Sequence, residues 1–87
     1  MFIETNNKDG HRILINTDAI AYVEFEAQIL ILDPKRPEKE SGVRIWFQAT
    51  IGGEKSCWLA NQEFAGKEAE NLRGGLSKIL GAHNFSA

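Results

Sequence analysis

The first half of the chain alternates short apolar runs with polar turn residues, a pattern typical of an antiparallel sheet. Residues 2–5 and 11–16 are mainly apolar or alternating, and the stretch between them ends in Asp9-Gly10. A tight hairpin turn needs backbone conformations that glycine adopts easily, so this region predicts a β-hairpin. Within the second run, isoleucines alternate with Arg12 and Leu14, so we expect one apolar face.

Two further strands are predicted before residue 33. Apolar and polar side chains alternate from Ala21 to Glu26, as expected for a strand with one face in water. Residues 29–32 form an unbroken apolar run that Asp33-Pro34 ends, and we expect a separate strand there, buried on both faces. Residues 33–42 contain two prolines and six charged side chains, so they predict a charged, flexible loop.

The clearest hairpin signal is Gly52-Gly53, which has an apolar-rich run on each side. A two-residue turn there pairs Trp46 with Leu59 and Ile45 with Ala60, and both faces of the hairpin then carry apolar side chains. One helix covers only one face of a sheet. The face that includes Trp46 therefore needs another cover, either sheet curvature or a partner chain.

An amphipathic helix is predicted in the last third of the chain. Its apolar positions recur at spacings of four and three residues: Ala65, Ala69, Leu72, Leu76 and Ile79. Asn61 lies where a helix N-cap is expected, and Gly81 lies where a glycine C-cap is expected. Residues 82–87 follow as a tail.

Together these elements predict a single α+β domain over residues 1–87. We expect an antiparallel meander of about five short strands, followed by one C-terminal amphipathic helix that packs on the sheet. A strongly curved or barrel-like sheet is the alternative form, because closure hides both faces within one chain. A domain of this length buries only ~60–65% of its unfolded surface, so its core is small.

Composition and charge narrow the function classes. Ten basic and 12 acidic residues give a formal net charge of −2, so no excess positive charge points to nucleic acid or a membrane surface. The longest apolar run is too short to span a membrane, and the first residues lack the features of a secretory signal. A single cysteine excludes an internal disulfide. We therefore expect a cytoplasmic protein.

No constellation of catalytic or metal-ligating residues stands out. Cys57 would need His11 or His83 beside it to act as a nucleophile, and its neighbours in sequence match no cysteine-enzyme signature. Two distant histidines and one cysteine do not form a zinc motif. Gly52-Gly53 and Gly74-Gly75 lack the flanking residues of a phosphate loop. We expect no enzymatic activity, no cofactor and no metal site.

The candidate binding residues are cationic and aromatic side chains, which are common at interfaces. They are Arg12, Arg44, Trp46, Trp58, Lys35 and Arg36. The surplus of apolar faces around Trp46 favours a protein contact, because large apolar patches usually mark interfaces. We therefore expect a non-catalytic interaction or regulatory module that binds another protein and forms a homo-oligomer.

Two other functions remain open. One is a small-ligand or nucleotide binder with a pocket at a subunit junction, where arginines and tryptophans contact an anionic ligand. The other is a compact inhibitor of a host protein, encoded by a phage or mobile element. Small size, acidity and the lack of catalytic constellations suggest the inhibitor.

Residues 10–24 (Gly-His-Arg-Ile-Leu-Ile-Asn-Thr-Asp-Ala-Ile-Ala-Tyr-Val-Glu) resemble the opening of the small flagellar FlbD-like proteins. The similar features are a glycine turn, an apolar strand that ends in Asn16, an acidic corner at Asp18, and Val23-Glu24 on the next strand. The resemblance covers residues 2–32 at most. It implies a β-rich, non-enzymatic accessory protein and assigns no functional residues.

Overall fold

The computed structural model describes residues 1–31, 38–51 and 58–85. The strands are β1 (Phe2–Asn6), β2 (Arg12–Asn16), β3 (Ile20–Ile31), β4 (Glu38–Ile51) and β5 (Trp58–Phe64), and α1 (Gly66–Ile79) follows them. A short 3-10 helix, Thr17–Ala19, separates β2 from β3. The α+β class and the C-terminal helix are confirmed. The strands form two antiparallel sheets, β1-β2 and β3-β4-β5, where the sequence predicts one meander.

The N-terminal hairpin forms where the sequence predicts it. Gly10 in its turn has a φ of 80°, a left-handed conformation that residues with a side chain adopt only at a cost. Asn7 supports the turn, because its Oδ1 accepts hydrogen bonds from the backbone N–H groups of Asp9 and His11, at 3.1 and 3.0 Å. Ile15 is buried, so the apolar face of β2 points to the core as predicted.

The two strands predicted before the charged loop are one continuous strand, β3. Its pairing with β4 shifts register after Ile20 and again between Glu24 and Ala27. At the second shift two residues of β3 lie opposite one residue of β4, which is a β-bulge. The strand continues through the bulge: Val23 before it and Phe25 within it pack against the core, and Ala27 and Ile29 after it are buried. Leu30 is 43% exposed, so the apolar run at the end of β3 is not buried on both faces as predicted.

β4 begins inside the segment predicted as a charged loop. Residues 38–42 belong to the strand, while residues 33–37 lie outside the described residues. Gly42 is buried here, and a Cβ at this position would overlap the carbonyl oxygen of Phe64 and lie 2.5 Å from Cγ1 of Ile29. The missing side chain at Gly42 therefore allows the close approach of its neighbours on β3 and β5.

β4 and β5 pair as predicted but in a different register. Trp46 lies opposite Asn61, two residues further along β5 than predicted. β5 continues to Phe64, so Asn61 is a strand residue and the prediction that it caps the helix is wrong. Residues 52–57, which include the predicted Gly52-Gly53 turn, lie outside the described residues.

The helix begins after Ala65, which makes no side-chain capping hydrogen bond. Its predicted apolar stripe faces the core, because Ala69, Leu72 and Leu76 are buried. The stripe ends before Ile79, which is 43% exposed. A strand-to-helix junction that lacks a side-chain cap takes its stability from the buried stripe.

The predicted glycine C-cap is confirmed. Gly81 has a φ of 65°. Its N–H donates to the carbonyl of Lys78 at 3.1 Å, and the N–H of Ala82 donates to the carbonyl of Ser77 at 2.9 Å. This pair of hydrogen bonds is a Schellman motif, which satisfies carbonyls at the helix end.

One hydrophobic cluster joins the hairpin, the larger sheet and the helix. Its buried members are Ile15, Val43, Ile45, Phe64, Ala69, Leu72 and Leu76. Half-buried side chains of β1, β2, β3 and β4 pack around it. The core thus lies on one face of the three-stranded sheet, and the side chains on the opposite face form the candidate site.

Candidate functional site

Aromatic and charged side chains of three strands meet on the sheet face opposite the core. Tyr22 on β3 lies opposite Trp46 on β4, and Arg44 on β4 lies opposite both Glu24 on β3 and Glu63 on β5. Directly opposed residues of an antiparallel pair place their side chains on the same face. These five residues therefore share the outer face, and we call them the outer-face cluster.

Arg44 is the centre of this cluster. Its Nε and Nη2 donate hydrogen bonds to Oε2 of Glu63 at 2.9 and 2.7 Å. Its Nη1 donates to Oε1 of Glu24 at 3.4 Å, and Nη2 also donates to the carbonyl of Gln28 at 3.1 Å. All three guanidinium nitrogens thus bind acceptors of the same chain. These four bonds leave one of the five guanidinium N–H groups, on Nη1, for a ligand, and an anion there would lie beside the carboxylate of Glu24.

Glu63 connects the cluster to the N-terminal hairpin. Its Oε1 lies 3.1 Å from Nζ of Lys8, and its carbonyl accepts a hydrogen bond from the backbone N–H of Lys8 at 2.8 Å. Burial raises the pKa of Glu63, but hydrogen bonds from Arg44 and Lys8 outweigh burial and hold this pKa below its ordinary value. The hydrogen bond to Glu63 also raises the pKa of Arg44. Both groups therefore remain charged at neutral pH.

Tyr22 and Trp46 form a stacked aromatic pair. Their ring centroids are 5.6 Å apart and the ring planes differ by 18°. Nε1 of Trp46 donates a hydrogen bond to Oε1 of Glu24 at 2.5 Å, and Cζ of Arg44 lies 6.0 Å from the centroid of the Trp46 ring. Tyr22 is 51% exposed. The pair is therefore held in one orientation, with its Tyr22 side open to solvent.

The structure brings together two of the six predicted binding residues, Arg44 and Trp46. Arg12 lies on β2, where its side chain is 80% exposed and its Nε is 3.3 Å from Oε1 of Glu4. It is part of the two-stranded sheet and contributes nothing to the outer-face cluster.

The other predicted residues are described incompletely or lie outside the described ranges. Trp58 is in β5, where its backbone pairs with Ile51. Lys35 and Arg36 lie outside the described residues, and so does Cys57, the only candidate nucleophile.

Sequence reasoning missed Tyr22, Glu24 and Glu63 as members of the cluster. For Tyr22 and Glu24 a signal existed, because alternation along β3 places both on its polar face. Glu63 gave no such signal. The helix predicted to start at Asn61 places Glu63 on a helix surface, whereas β5 places it beside Arg44.

Two further observations concern metal sites and membranes. Across the described ranges, no group of three or more His, Cys, Asp and Glu side chains is arranged to hold a metal ion. Within the same ranges, the helix is too short and too polar to cross a membrane.

No protein-family model, curated protein or solved structure matches the chain, and so no match bears on the resemblance to FlbD-like proteins. A function for this protein therefore rests on the chemistry of its own surface.

Proposed function

We propose that the protein is a non-catalytic interaction module that binds protein through the outer-face cluster and forms a homo-oligomer through the same surface. The observation that carries this proposal is the Tyr22–Trp46 pair, which stacks on an open sheet face beside Arg44. Tyrosine, tryptophan and arginine are the residues most enriched among those that dominate binding energy at protein interfaces. A pair already held in one orientation loses little conformational entropy on binding.

The charges of the cluster support a protein partner over a small anion. Arg44 and Lys8 are matched by Glu24 and Glu63, so two cations offset two carboxylates. A partner that covers the aromatic pair leaves each of these charges with its counter-ion. A charge buried at an interface without a counter-ion would be costly. A small anion would instead find one remaining N–H of Arg44 and the repulsion of two nearby carboxylates.

Self-association also supplies burial that a short chain lacks. In a twofold pair the same surface of each copy faces the other, so one aromatic cluster serves both sides of the contact. The backbone hydrogen bond between Lys8 and Glu63 supports a curved, partly barrel-like arrangement of the two sheets. That contact lies at the Glu63 end of the cluster, and Tyr22 at the other end stays half exposed. Curvature of the sheets therefore does not cover Tyr22, and we propose that a partner does.

The test is the solution mass of the protein by light scattering. We expect the wild type to be an oligomer and Trp46→Ala and Tyr22→Ala to be monomers with the circular dichroism spectrum of a folded chain. Leu14→Ala is the matched control, because Leu14 is an exposed apolar residue (67%) on the other sheet. This variant should keep the mass of the wild type.

Two results contradict the proposal. A wild type that is monomeric at the highest soluble concentration contradicts self-association. An oligomer whose mass is the same in both aromatic variants shows that the copies meet through another surface.

A further inference from the structure

A groove of about 260 Å³ lies between β3 and the C-terminal end of the helix. Its lining is mainly apolar and includes Ile20, Val23 and Phe25 of β3, and Leu80 at the helix end. Such a lining suits an apolar side chain better than a charged one. Because an apolar cavity of about 150 Å³ is enough to hold benzene, the groove has room for a phenyl ring.

The C-terminal tail, residues 82–87, begins at the rim of this groove. Gly81 ends the helix with a φ of 65°. The N–H of Ala82 then donates to the carbonyl of Ser77 at 2.9 Å, and both Ser77 and Ala82 line the groove. This hydrogen bond fixes the start of the tail beside the apolar lining.

Phe85 in the tail has the most exposed large apolar side chain among the residues that the structure describes, at 94%. It follows Ala82 by three residues. Three extended residues span at most about 11 Å, so Phe85 stays close to the groove in every conformation of the tail. The chain therefore holds an unburied aromatic ring within reach of an apolar groove.

The short connection favours this ring over a free ligand. A group joined to its site by a short flexible segment acts at an effective concentration in the millimolar range. A separate molecule with an apolar side chain would need a similar concentration to compete with Phe85. Closure also removes the exposed ring and the apolar lining from water together.

A second groove, of about 180 Å³, is a poorer site for the tail. It lies between β1 and the helix, and its lining includes the polar side chains of Glu4 and Asn71. No residue of the described part of the tail lines this second groove. The position of Ala82 therefore selects the groove beside β3.

We propose that the C-terminal tail is an intramolecular strap, which closes by placing the Phe85 ring in the groove against Val23 and Leu80. The structure shows the strap open, because Phe85 is exposed. Tyr22 lines the groove and also belongs to the outer-face cluster, so the closed strap lies beside the surface proposed to bind protein. The inference rests on the groove and the tail and does not depend on that proposed binding.

The test is ¹³C-edited NMR of the full chain, which detects nuclear Overhauser effects between protons in contact. In the closed form the ring protons of Phe85 contact methyl groups of Val23 and Leu80, and we expect these effects between them. Phe85→Ala removes the ring, so the contacts should be lost and the methyl signals of Ile20 and Val23 should shift.

Two tryptophan variants test whether the strap needs an empty groove. Ser77→Trp fills the groove from the helix side, and we expect the contacts of Phe85 with Val23 and Leu80 to be lost. Glu70→Trp places the same side chain at an exposed position of the helix outside both grooves, and the contacts should remain. Amide spectra of both variants check that they fold.

A mixed sample distinguishes a strap from an exchange of tails between copies. Half of the protein is labelled with ¹³C and half is unlabelled, so contacts between labelled and unlabelled chains report a tail from a second copy. We expect no such contacts from Phe85. Light scattering reports on the outer face and these contacts report on the tail, so either proposal can fail alone.

Three results overturn the inference. One is the absence of contacts between Phe85 and the groove in the wild type. Another is contacts that persist unchanged in Ser77→Trp, because the ring would then lie elsewhere. The third is contacts that arise only between different copies, which would make a second chain the occupant of the groove.

Discussion

Neighbouring residues of β4 lie in opposite environments. Val43 and Ile45 are fully buried in the core, whereas Arg44 and Trp46 are half-buried on the outer face and make hydrogen bonds and ring contacts. One strand therefore separates an apolar, closely packed side from a polar, partly open side. The inner side supplies most of the buried apolar surface, and the outer side is the surface proposed to bind.

The typical free-energy contributions of apolar burial, hydrogen bonds and ion pairs support this division between the two sides of β4. Full burial of a large apolar side chain contributes about 1.5–3 kcal/mol. A hydrogen bond contributes about 0.5–1.5 kcal/mol net, and a partly exposed ion pair contributes about 0–1 kcal/mol. Substitutions on the inner side should therefore change the free energy of unfolding more than substitutions on the outer face.

The largest effect is expected at Phe64, which is fully buried at the end of β5. Phe64→Ala removes a whole ring from the core and should lower the free energy of unfolding by about 3–5 kcal/mol. Urea denaturation followed by circular dichroism measures this loss.

Because total stability is only about 5–15 kcal/mol, Phe64→Ala is at risk of not folding. Phe64→Leu keeps much of the volume and should lose less than about 2 kcal/mol. A Phe64→Ala protein as stable as the wild type would contradict the expectation that the inner side contributes more to folding stability than the outer side.

A smaller effect is expected at Gly42, which is buried next to Val43. Gly42→Ala forces a Cβ against the Phe64 carbonyl and should destabilise the fold by about 1–3 kcal/mol. Gly74→Ala is the matched control. Nothing lies within 4 Å of a Cβ at Gly74, and alanine is the better helix former, so this variant should be more stable by about 0.4–1 kcal/mol. Thermal unfolding of both variants tests the opposite signs, and an equal shift in melting temperature would contradict close packing at Gly42.

The smallest effect is expected from Glu63→Gln on the outer face. It weakens the contacts with Arg44 and Lys8 and should cost about 1 kcal/mol at neutral pH. The lowered pKa of Glu63 means that its ionised form stabilises the folded state above the ordinary glutamate pKa of 4.5, and that this contribution is lost as pH falls through the lower, folded-state pKa.

The glutamine of the Glu63→Gln variant does not ionise, so the variant lacks this pH-dependent contribution to stability. The stability difference between wild type and variant should therefore shrink as pH falls from neutral into the acidic range. Urea denaturation of both proteins across a series of buffers checks this expectation. A difference that stays constant with pH would show that the ionised Glu63 does not stabilise the fold.

The parts predicted correctly from the sequence depend on local features. The N-terminal hairpin follows from Asp9-Gly10, and the helix end follows from Gly81. Alternation along β4 also placed Trp46 on the face away from Ile45, which the structure confirms. Turn chemistry and side-chain periodicity act over a few residues, so a single sequence is enough to read them.

The parts predicted wrongly depend on contacts between distant segments. Asn61 has the side chain of a good helix N-cap, and such a cap contributes about 1 kcal/mol. Burial of Phe64 opposite Val43 contributes more than a cap, and it extends β5 through Asn61 to Phe64. The same choice carries Glu63 into the sheet beside Arg44, which is why the place of Glu63 in the outer-face cluster was not predictable.

The sequence by itself determined the α+β class, the first hairpin, the apolar stripe of the helix and the helix end, because each follows from short-range spacing or turn chemistry. Only the tertiary structure decided the register of β4 and β5, the bulge in β3 and the meeting of Arg44 with Glu24 and Glu63. These features minimise the free energy of the whole packed core. A single segment of sequence does not contain the partners that determine them.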